Sequence, residues 1–190
     1  MFLIFFDTIK PCIRGVAQSG SAPGLGPGGR RFESFLPDHY NIIMSEVSKI
    51  CITKKSGELM QDVKTIEVAA KKGIINDRYF SDGSEQDTQV TLIESENIDY
   101  YNEISNSNIS YIDFRRNVIT NGINLNELVG KEILIGKVRI KGHRLCNPCK
   151  YLQDKLQQKN LVKNLLNRGG LRCEILSNGT ISVSDKIKIV

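Results

Sequence analysis

The chain has 190 residues, of which 40% are hydrophobic and 25% charged, a composition typical of one globular domain with its own core. The net charge of +5 is mild and the basic residues are scattered, so the sequence does not predict nucleic-acid binding. No run of about eighteen apolar residues occurs, which argues against a membrane span. We therefore expect a soluble protein that binds neither nucleic acid nor membrane.

Residues 1–43 differ in character from the rest of the chain. The apolar start, MFLIFF, has no basic region before it and stops at Asp7, unlike a secretory signal peptide. A glycine- and proline-rich stretch follows, which is not expected to build a core. Residues 31–34, RFES, are also what the common T-arm sequence of a transfer-RNA gene would encode. We interpret residues 1–43 as a disordered tail or a translated transfer-RNA-like upstream extension, and predict a folded domain over 44–190.

Short stretches rich in β-branched residues follow and predict strands separated by turn signals. The predicted strands lie within VSKICITKK (47–55), VKTIEVAA (63–70), TQVTLIE (88–94), FRRNVIT (114–120) and EILIGKVRIKGHRL (132–145), the last broken at Gly136. Between the third and fourth, SENIDYYNEIS predicts a short helix with Ser95 as its N-cap.

After residue 145, four leucines recur near helical spacing and end at RGG, a sequence typical of a helix C-terminus. They are Leu152, Leu156, Leu161 and Leu165. Residues 171–190 predict a hairpin around SNG (177–179) and one further strand. Many short strands with few helical insertions predict a mainly β (α+β) fold, a closed β-barrel with two or three short helices.

The chain has five cysteines, an odd number with one close pair, which indicates a reducing cytoplasm rather than a secreted disulfide framework. The pair, in HRLCNPCKYL, is Cys146 and Cys149. His143 and Cys173 would complete a zinc site, but Cys173 has no closely spaced partner. A thioredoxin-like motif would need a later proline, and none follows Pro148. Two buried thiols acting as small hydrophobic groups are the third interpretation.

The pair lies within a longer pattern, FRRNVITNGINLNELVGKEILIGKVRIKGHRLCNPCKYL, followed by RGGLRCEILSNGTISVSDKI. With GIINDRYF and TQVTLIE upstream, this arrangement resembles the MOSC domain, named for the C-terminal part of molybdenum-cofactor sulfurases and found also as stand-alone bacterial proteins. The resemblance runs from about Val47 to Val190 and implies the MOSC β-barrel. The usual Gly-Asp-Arg-His reads Asn76-Asp77-Arg78-Tyr79 here, so the histidine is missing.

The resemblance implies binding of the molybdenum cofactor (molybdopterin) or handling of its sulfur. Cys149 aligns with the position that supplies the metal-binding thiolate in the related amidoxime-reducing proteins, so it is the predicted catalytic residue and molybdenum ligand, with Cys146 as runner-up. Soft sulfur suits molybdenum. Lys150, the nearby basic residues and a following helix N-terminus would favour a thiolate at Cys149, although these cations are equally typical of solvated element ends.

The sequence FRRN offers two arginines for the cofactor's phosphate. On a strand, Arg115 and Arg116 would point to opposite faces, so at most one would reach the pocket. That arginine and Arg78 are predicted to hold the phosphate, because guanidinium groups match its oxygens, and Asn117 to contact the pterin. Structural ion pairs with neighbouring aspartates are the alternative.

Two classes of function follow from the resemblance. The protein is either an enzyme or sulfur carrier, reducing N-hydroxylated compounds or passing sulfur through a Cys149 persulfide, or a non-catalytic module that holds the cofactor for its biosynthetic proteins. No pyridoxal-phosphate lysine region and no flavin, haem or iron–sulfur motif occurs in the sequence. Catalysis would therefore require an external electron donor or sulfur donor as a partner.

Overall fold

The computed structural model describes residues 45–190, so the interpretation of residues 1–43 lies outside the described residues. Within that range the chain forms eleven β-strands, three α-helices and two 3-10 turns. The strands are β1 (Glu46–Ile52), β2 (Gln61–Val63), β3 (Thr65–Ala69), β4 (Gly73–Ile74), β5 (Val90–Glu94), β6 (Val118–Asn121), β7 (Glu132–Ile135), β8 (Val138–Leu145), β9 (Leu171–Ile175), β10 (Gly179–Ser182) and β11 (Ile187–Ile189). The helices are α1 (Ser95–Ser105), α2 (Lys150–Lys155) and α3 (Leu161–Asn164), and the 3-10 turns are Tyr111–Phe114 and Leu125–Leu128.

Eight strands form one curled sheet in the order β11-β7-β8-β9-β5-β6-β1-β2, and β10-β3-β4 form a second, smaller sheet. All neighbours in the large sheet are antiparallel except β5 and β6, which are joined by the crossover that contains α1. The amide of Val47 bonds to the carbonyl oxygen of Asp185 at 2.9 Å, and that of Ile187 to the oxygen of Ser45 at 2.9 Å. These bonds bring the two sides of the curled sheet together, so the predicted mainly β fold is confirmed, while closure of the barrel is only approximate.

The central strands of the large sheet, β5 and β6, are buried on both faces. One face carries an apolar cluster that includes Leu92, Val118 and Leu171 and that also packs against the small sheet. The other face, with Ile93, carries a second cluster built from α1, α2, α3 and the first 3-10 turn. Alternate side chains of β5 therefore enter different cores, which explains why this strand reads as a continuous apolar stretch.

Four local predictions were wrong, the first being the N-cap of α1, which is Glu94 rather than Ser95. FRRN is not extended, because Arg115 follows the 3-10 turn with a left-handed backbone (φ 60°) and β6 begins only at Val118. The leucine-rich segment forms two short helices, α2 and α3, because Gln157 and Asn160 adopt positive φ angles of 52° and 61° between them. The expected hairpin between β9 and β10 is absent from the described residues, since β10 pairs with β3 in the small sheet.

Candidate functional site

A cavity of about 370 Å³ opens at the end of the large sheet where β1 and β8 finish and β6 and β9 begin. Its lining includes two thiols and four arginines: Cys146, Cys149, Arg78, Arg115, Arg116 and Arg172. Among the described residues that line it there is no Asp or Glu. The cavity is therefore strongly cationic and contains potential soft sulfur ligands.

The loop that carries the two cysteines connects β8 to α2. Cys149 is exposed and is the N-cap residue of α2, whereas Cys146 is buried. The amide of Cys146 donates to the carbonyl oxygen of Gly170 at 2.7 Å. A Cβ atom on Gly169 would lie only 2.3 Å from the carbonyl oxygen of Cys146, so the two loops can approach this closely only because that residue is glycine.

Arg116 fastens the same loop from the other side. Its Nη2 donates to the carbonyl oxygen of Cys146 at 2.9 Å, its Nε to that of Gly169 at 2.9 Å and its Nη1 to that of Phe114 at 3.3 Å. A guanidinium bound to three backbone carbonyls has a fixed position and its charge is not cancelled by a carboxylate. Arg116 thus both holds the cysteine loop and places a fixed positive charge beside it.

Arg78 is held by a buried polar network. Its side chain lies 3.6 Å from Oδ1 of Asp77 and stacks on the ring of Tyr79, with 4.6 Å from Cζ to the ring centroid. That Asp77 oxygen also accepts from Nδ2 of Asn117 at 3.2 Å and from the amide of Thr53 at 3.2 Å. The network fixes Arg78 at the end of β1.

The other two arginines have fewer partners. Arg115 donates to the carbonyl oxygen of Glu58 at 2.6 Å. Arg172, on β9, makes no side-chain hydrogen bond or ion pair with any residue in the described range 45–190. The residue paired with it on β8, Arg144, forms an ion pair with Asp87 and does not belong to the described lining of the cavity.

The thiols of Cys51 and Cys173 are buried in the core, whereas Cys149 is exposed. Burial raises the pKa of Cys51 to about 12, and burial also raises the pKa of Cys173, so both stay protonated at neutral pH. Across residues 45–190, no three His, Cys, Asp or Glu side chains are grouped as a metal site. His143 instead contacts Glu174, with 3.0 Å between Nε2 and Oε2. The four-ligand zinc site is therefore not assembled within this range.

The family model of the MOSC domain matches residues 76–188. The chain belongs to the MOSC domain family. The YuaD protein of Bacillus subtilis has the same MOSC fold, with a TM-score of 0.66 at 15% identity over 77% of this chain and 96% of that one. The YiiM protein of Geobacillus stearothermophilus is also similar, with a TM-score of 0.64 at 17% identity over 77% of this chain and 75% of that one. The YiiM protein of Escherichia coli gives a TM-score of 0.59 at 16% identity, covering 76% and 69%.

No curated protein sequence matches the chain significantly. In the described part of this MOSC domain, no helix is both long enough and apolar enough to cross a membrane.

The predicted site residues fall into two groups in this MOSC domain. Cys149, Cys146, Arg78, Arg115 and Arg116 line the same cavity. Asn117 and Lys150 do not belong to its described lining.

Asn117 is buried beneath the cavity and is saturated by protein partners: its Oδ1 accepts from the amide and hydroxyl of Thr91 at 3.2 and 2.9 Å. Lys150 is exposed, with its Nζ 3.6 Å from Asp154 one helical turn ahead. Sequence reasoning missed Arg172 and the structural role of the RGG segment, for which two consecutive glycines were the available signal.

Proposed function

We propose that this MOSC domain binds the molybdenum cofactor in the arginine-lined cavity, with the Cys149 thiolate as the protein ligand of the metal. One observation carries the proposal: an exposed thiol and four arginines line the same cavity, with no carboxylate in the described lining. A ligand that combines a soft metal with an anionic group suits such a cavity.

The residues present fit the cofactor. A metal held wholly by protein would need several ligands, and none of the described residues form such a group. Because the pterin dithiolene would hold the molybdenum, Cys149 would need to supply only one thiolate from the protein. When bound, the cofactor would supply a metal centre for electron transfer to substrate or for sulfur exchange.

The chain's own residues have distinct tasks in this proposal. Cys149 offers its thiolate at the surface of the cavity, while Cys146 is the runner-up because its thiol also lines the cavity but is buried. Arg116 keeps the cysteine loop in place through carbonyl oxygens and leaves its charge uncancelled. Arg78 and Arg115 contribute further positive charge for the phosphate.

The use of the bound cofactor follows one of two routes. In the first, the protein works with a partner, either an electron donor for reduction of N-hydroxylated compounds or a persulfide-bearing sulfur donor that transfers its outer sulfur atom to Cys149 and is left as a thiol. In the second, it holds the cofactor for biosynthetic proteins without catalysis. Turnover of an N-hydroxylated substrate with an artificial electron donor, seen in the wild type and lost in Cys149→Ser, identifies the reductase branch of the first route.

Cofactor binding is tested by producing the full chain in a host that synthesises the cofactor and measuring molybdenum and pterin. We expect Cys149→Ser to lose molybdenum, because the exposed thiol is its ligand, and the matched Cys146→Ser variant to retain it. Thiol labelling of the wild type across pH should report Cys149 ahead of the buried thiols. Stoichiometric zinc in the wild type that is lost in both variants would overturn the proposal in favour of a structural zinc site.

A further inference from the structure

We propose that Arg172 is the residue that binds the anionic group of the ligand, and that the cavity therefore selects a ligand carrying a tetrahedral oxyanion such as a phosphate monoester. The inference rests on the proposed function and adds to it a residue, on β9, outside the FRRN and DRY segments.

The four arginines of the cavity differ in how many protein groups contact their side chains. Arg116 is bound to three carbonyl oxygens, Arg78 contacts a buried carboxylate and an aromatic ring, and Arg115 is bound to one carbonyl. The Arg172 side chain has no carbonyl, carboxylate or aromatic partner within residues 45–190, although a guanidinium carries five N–H donors. Arg172 is therefore the guanidinium with most donors left for a ligand.

The four arginines give the cavity an excess of positive charge. Four guanidinium groups share one cavity, and the described carboxylate in contact with one of them is Asp77, beside Arg78. Like charges that line one cavity repel one another, more strongly where water is partly excluded. Bound oxyanion would relieve that repulsion, and a phosphate dianion would relieve more of it than a singly charged group.

The position of Arg172 on β9 directs its side chain towards the cavity. Leu171 faces the apolar core of the sheet, so its neighbour Arg172 points to the other face, where the cavity lies. The residue before Leu171, Gly170, accepts the amide of Cys146. The strand that presents Arg172 is thus fixed to the start of the cysteine loop, and one ligand can reach both Arg172 and Cys149 along the lining of the same cavity.

Arg144 provides a matched control. It is the register partner of Arg172 on the neighbouring strand, carries the same charge, is paired with Asp87 and does not belong to the described lining. General attraction of an anion to the basic surface would depend on both arginines alike. Specific binding in the cavity would depend on Arg172 alone.

The test uses the full chain purified from a host that cannot synthesise the cofactor, with inorganic phosphate as the probe and calorimetric titration as the measurement. We expect Arg172→Gln to raise the Kd for phosphate about tenfold or more, the effect of losing one charge-assisted hydrogen bond. Arg172→Lys should give a smaller increase, because it keeps the charge without the planar fork. Arg144→Gln should leave the Kd unchanged. Thermal unfolding checks that each variant is folded, and Arg172→Lys carries the test if the glutamine variant is not.

Equal weakening by Arg172→Gln and Arg144→Gln, or absence of phosphate binding by the wild type, would overturn the inference. Molybdenum and pterin content of the same variants from a cofactor-producing host separates it from the proposed function. Phosphate binding that depends on Arg172 in a protein that never acquires molybdenum would leave the anion site standing and remove the proposed function. Full retention of molybdenum and pterin by Arg172→Gln would leave the proposed function standing and remove Arg172 as the residue that binds the anionic group.

Discussion

At the scale of single residues, the cavity shows that identical side chains serve different purposes according to what already occupies their donors. The guanidinium N–H groups of Arg116 donate to backbone carbonyl oxygens, and Arg78 is fixed by Asp77. Arg115 and Arg172 keep more of theirs for other groups. A count of arginines in the sequence cannot make this distinction, because two of the three carbonyl partners of Arg116 lie 30 and 53 residues away along the chain.

We predict that the two arginines of FRRN have unequal effects on stability. Arg116→Gln should lower the free energy of unfolding by about 2–3 kcal/mol, since hydrogen bonds from a charged group to three backbone oxygens are lost. Arg115→Gln, with one such bond at the surface, should lower it by less than about 1 kcal/mol. Urea unfolding of both variants makes the comparison, and equal losses would contradict it. Strand alternation predicted instead that only one of the two would reach the pocket, which is wrong because both line the cavity.

A second prediction concerns the thiols buried in the core. The folded-state pKa of Cys51 is about 12 and that of Cys173 is also raised, whereas an unfolded cysteine ionises near pH 8.5. The stabilisation from keeping them neutral is complete below the unfolded pKa and is lost as pH rises towards the folded pKa. Each buried thiol should therefore cost up to about 2 kcal/mol of stability between pH 7 and pH 10.

Urea unfolding at the two pH values measures that loss. Cys51→Ala and Cys173→Ala should each show a shallower fall between pH 7 and pH 10 than the wild type, whatever their stability at pH 7. A fall of the same size in the wild type and both variants would show that other groups cause it.

At the scale of elements, the strands could be predicted and several connections could not. β1, β5, β7 and β8 follow from β-branched residues and from the glycine at position 136, which are local signals. The pairing of β10 with β3 depends on a contact between segments more than 100 residues apart, with Asn178 Oδ1 accepting the amide of Ala70 at 2.8 Å. The left-handed turn at Arg115 likewise has no local glycine to announce it.

The glycines of RGG supply the prediction at this scale. Gly170 has a φ of +98°, and a Cβ atom there would lie 1.9 Å from the carbonyl oxygen of Leu92. Gly57 has a similar φ of +86° but nothing within 4 Å, so it controls for backbone strain alone. Gly170→Ala should destabilise the fold by at least about 2 kcal/mol more than Gly57→Ala, because β5 and β9 must separate. Equal melting temperatures of the two variants would contradict this.

At the scale of the whole molecule, the site lies where segments distant in sequence meet at one end of the large sheet, whose central strands β5 and β6 are buried on both faces. The family pattern predicted Cys149, Arg78, Arg115 and Arg116, all of which the fold brings to this cavity. It could not predict that the side-chain amide of Asn117 is hydrogen-bonded to Thr91 and Asp77 below the cavity, or that Lys150 extends along α2. Those outcomes depend on the depth of each position, which short sequence motifs do not encode.

The last prediction is that a chain starting at Met44 folds as the full chain does. Residues 45–190 contain both apolar clusters and the backbone bonds that join β1 to the segment before β11. Because those interactions lie entirely within residues 45–190, we expect removal of residues 1–43 to change the free energy of unfolding by less than about 1 kcal/mol. Thermal and urea unfolding of the two chains side by side gives the measurement, with phosphate or molybdenum binding as a check on the cavity. Failure of the shorter chain to fold, or a clear fall in its melting temperature, would show that residues 1–43 contribute to the domain.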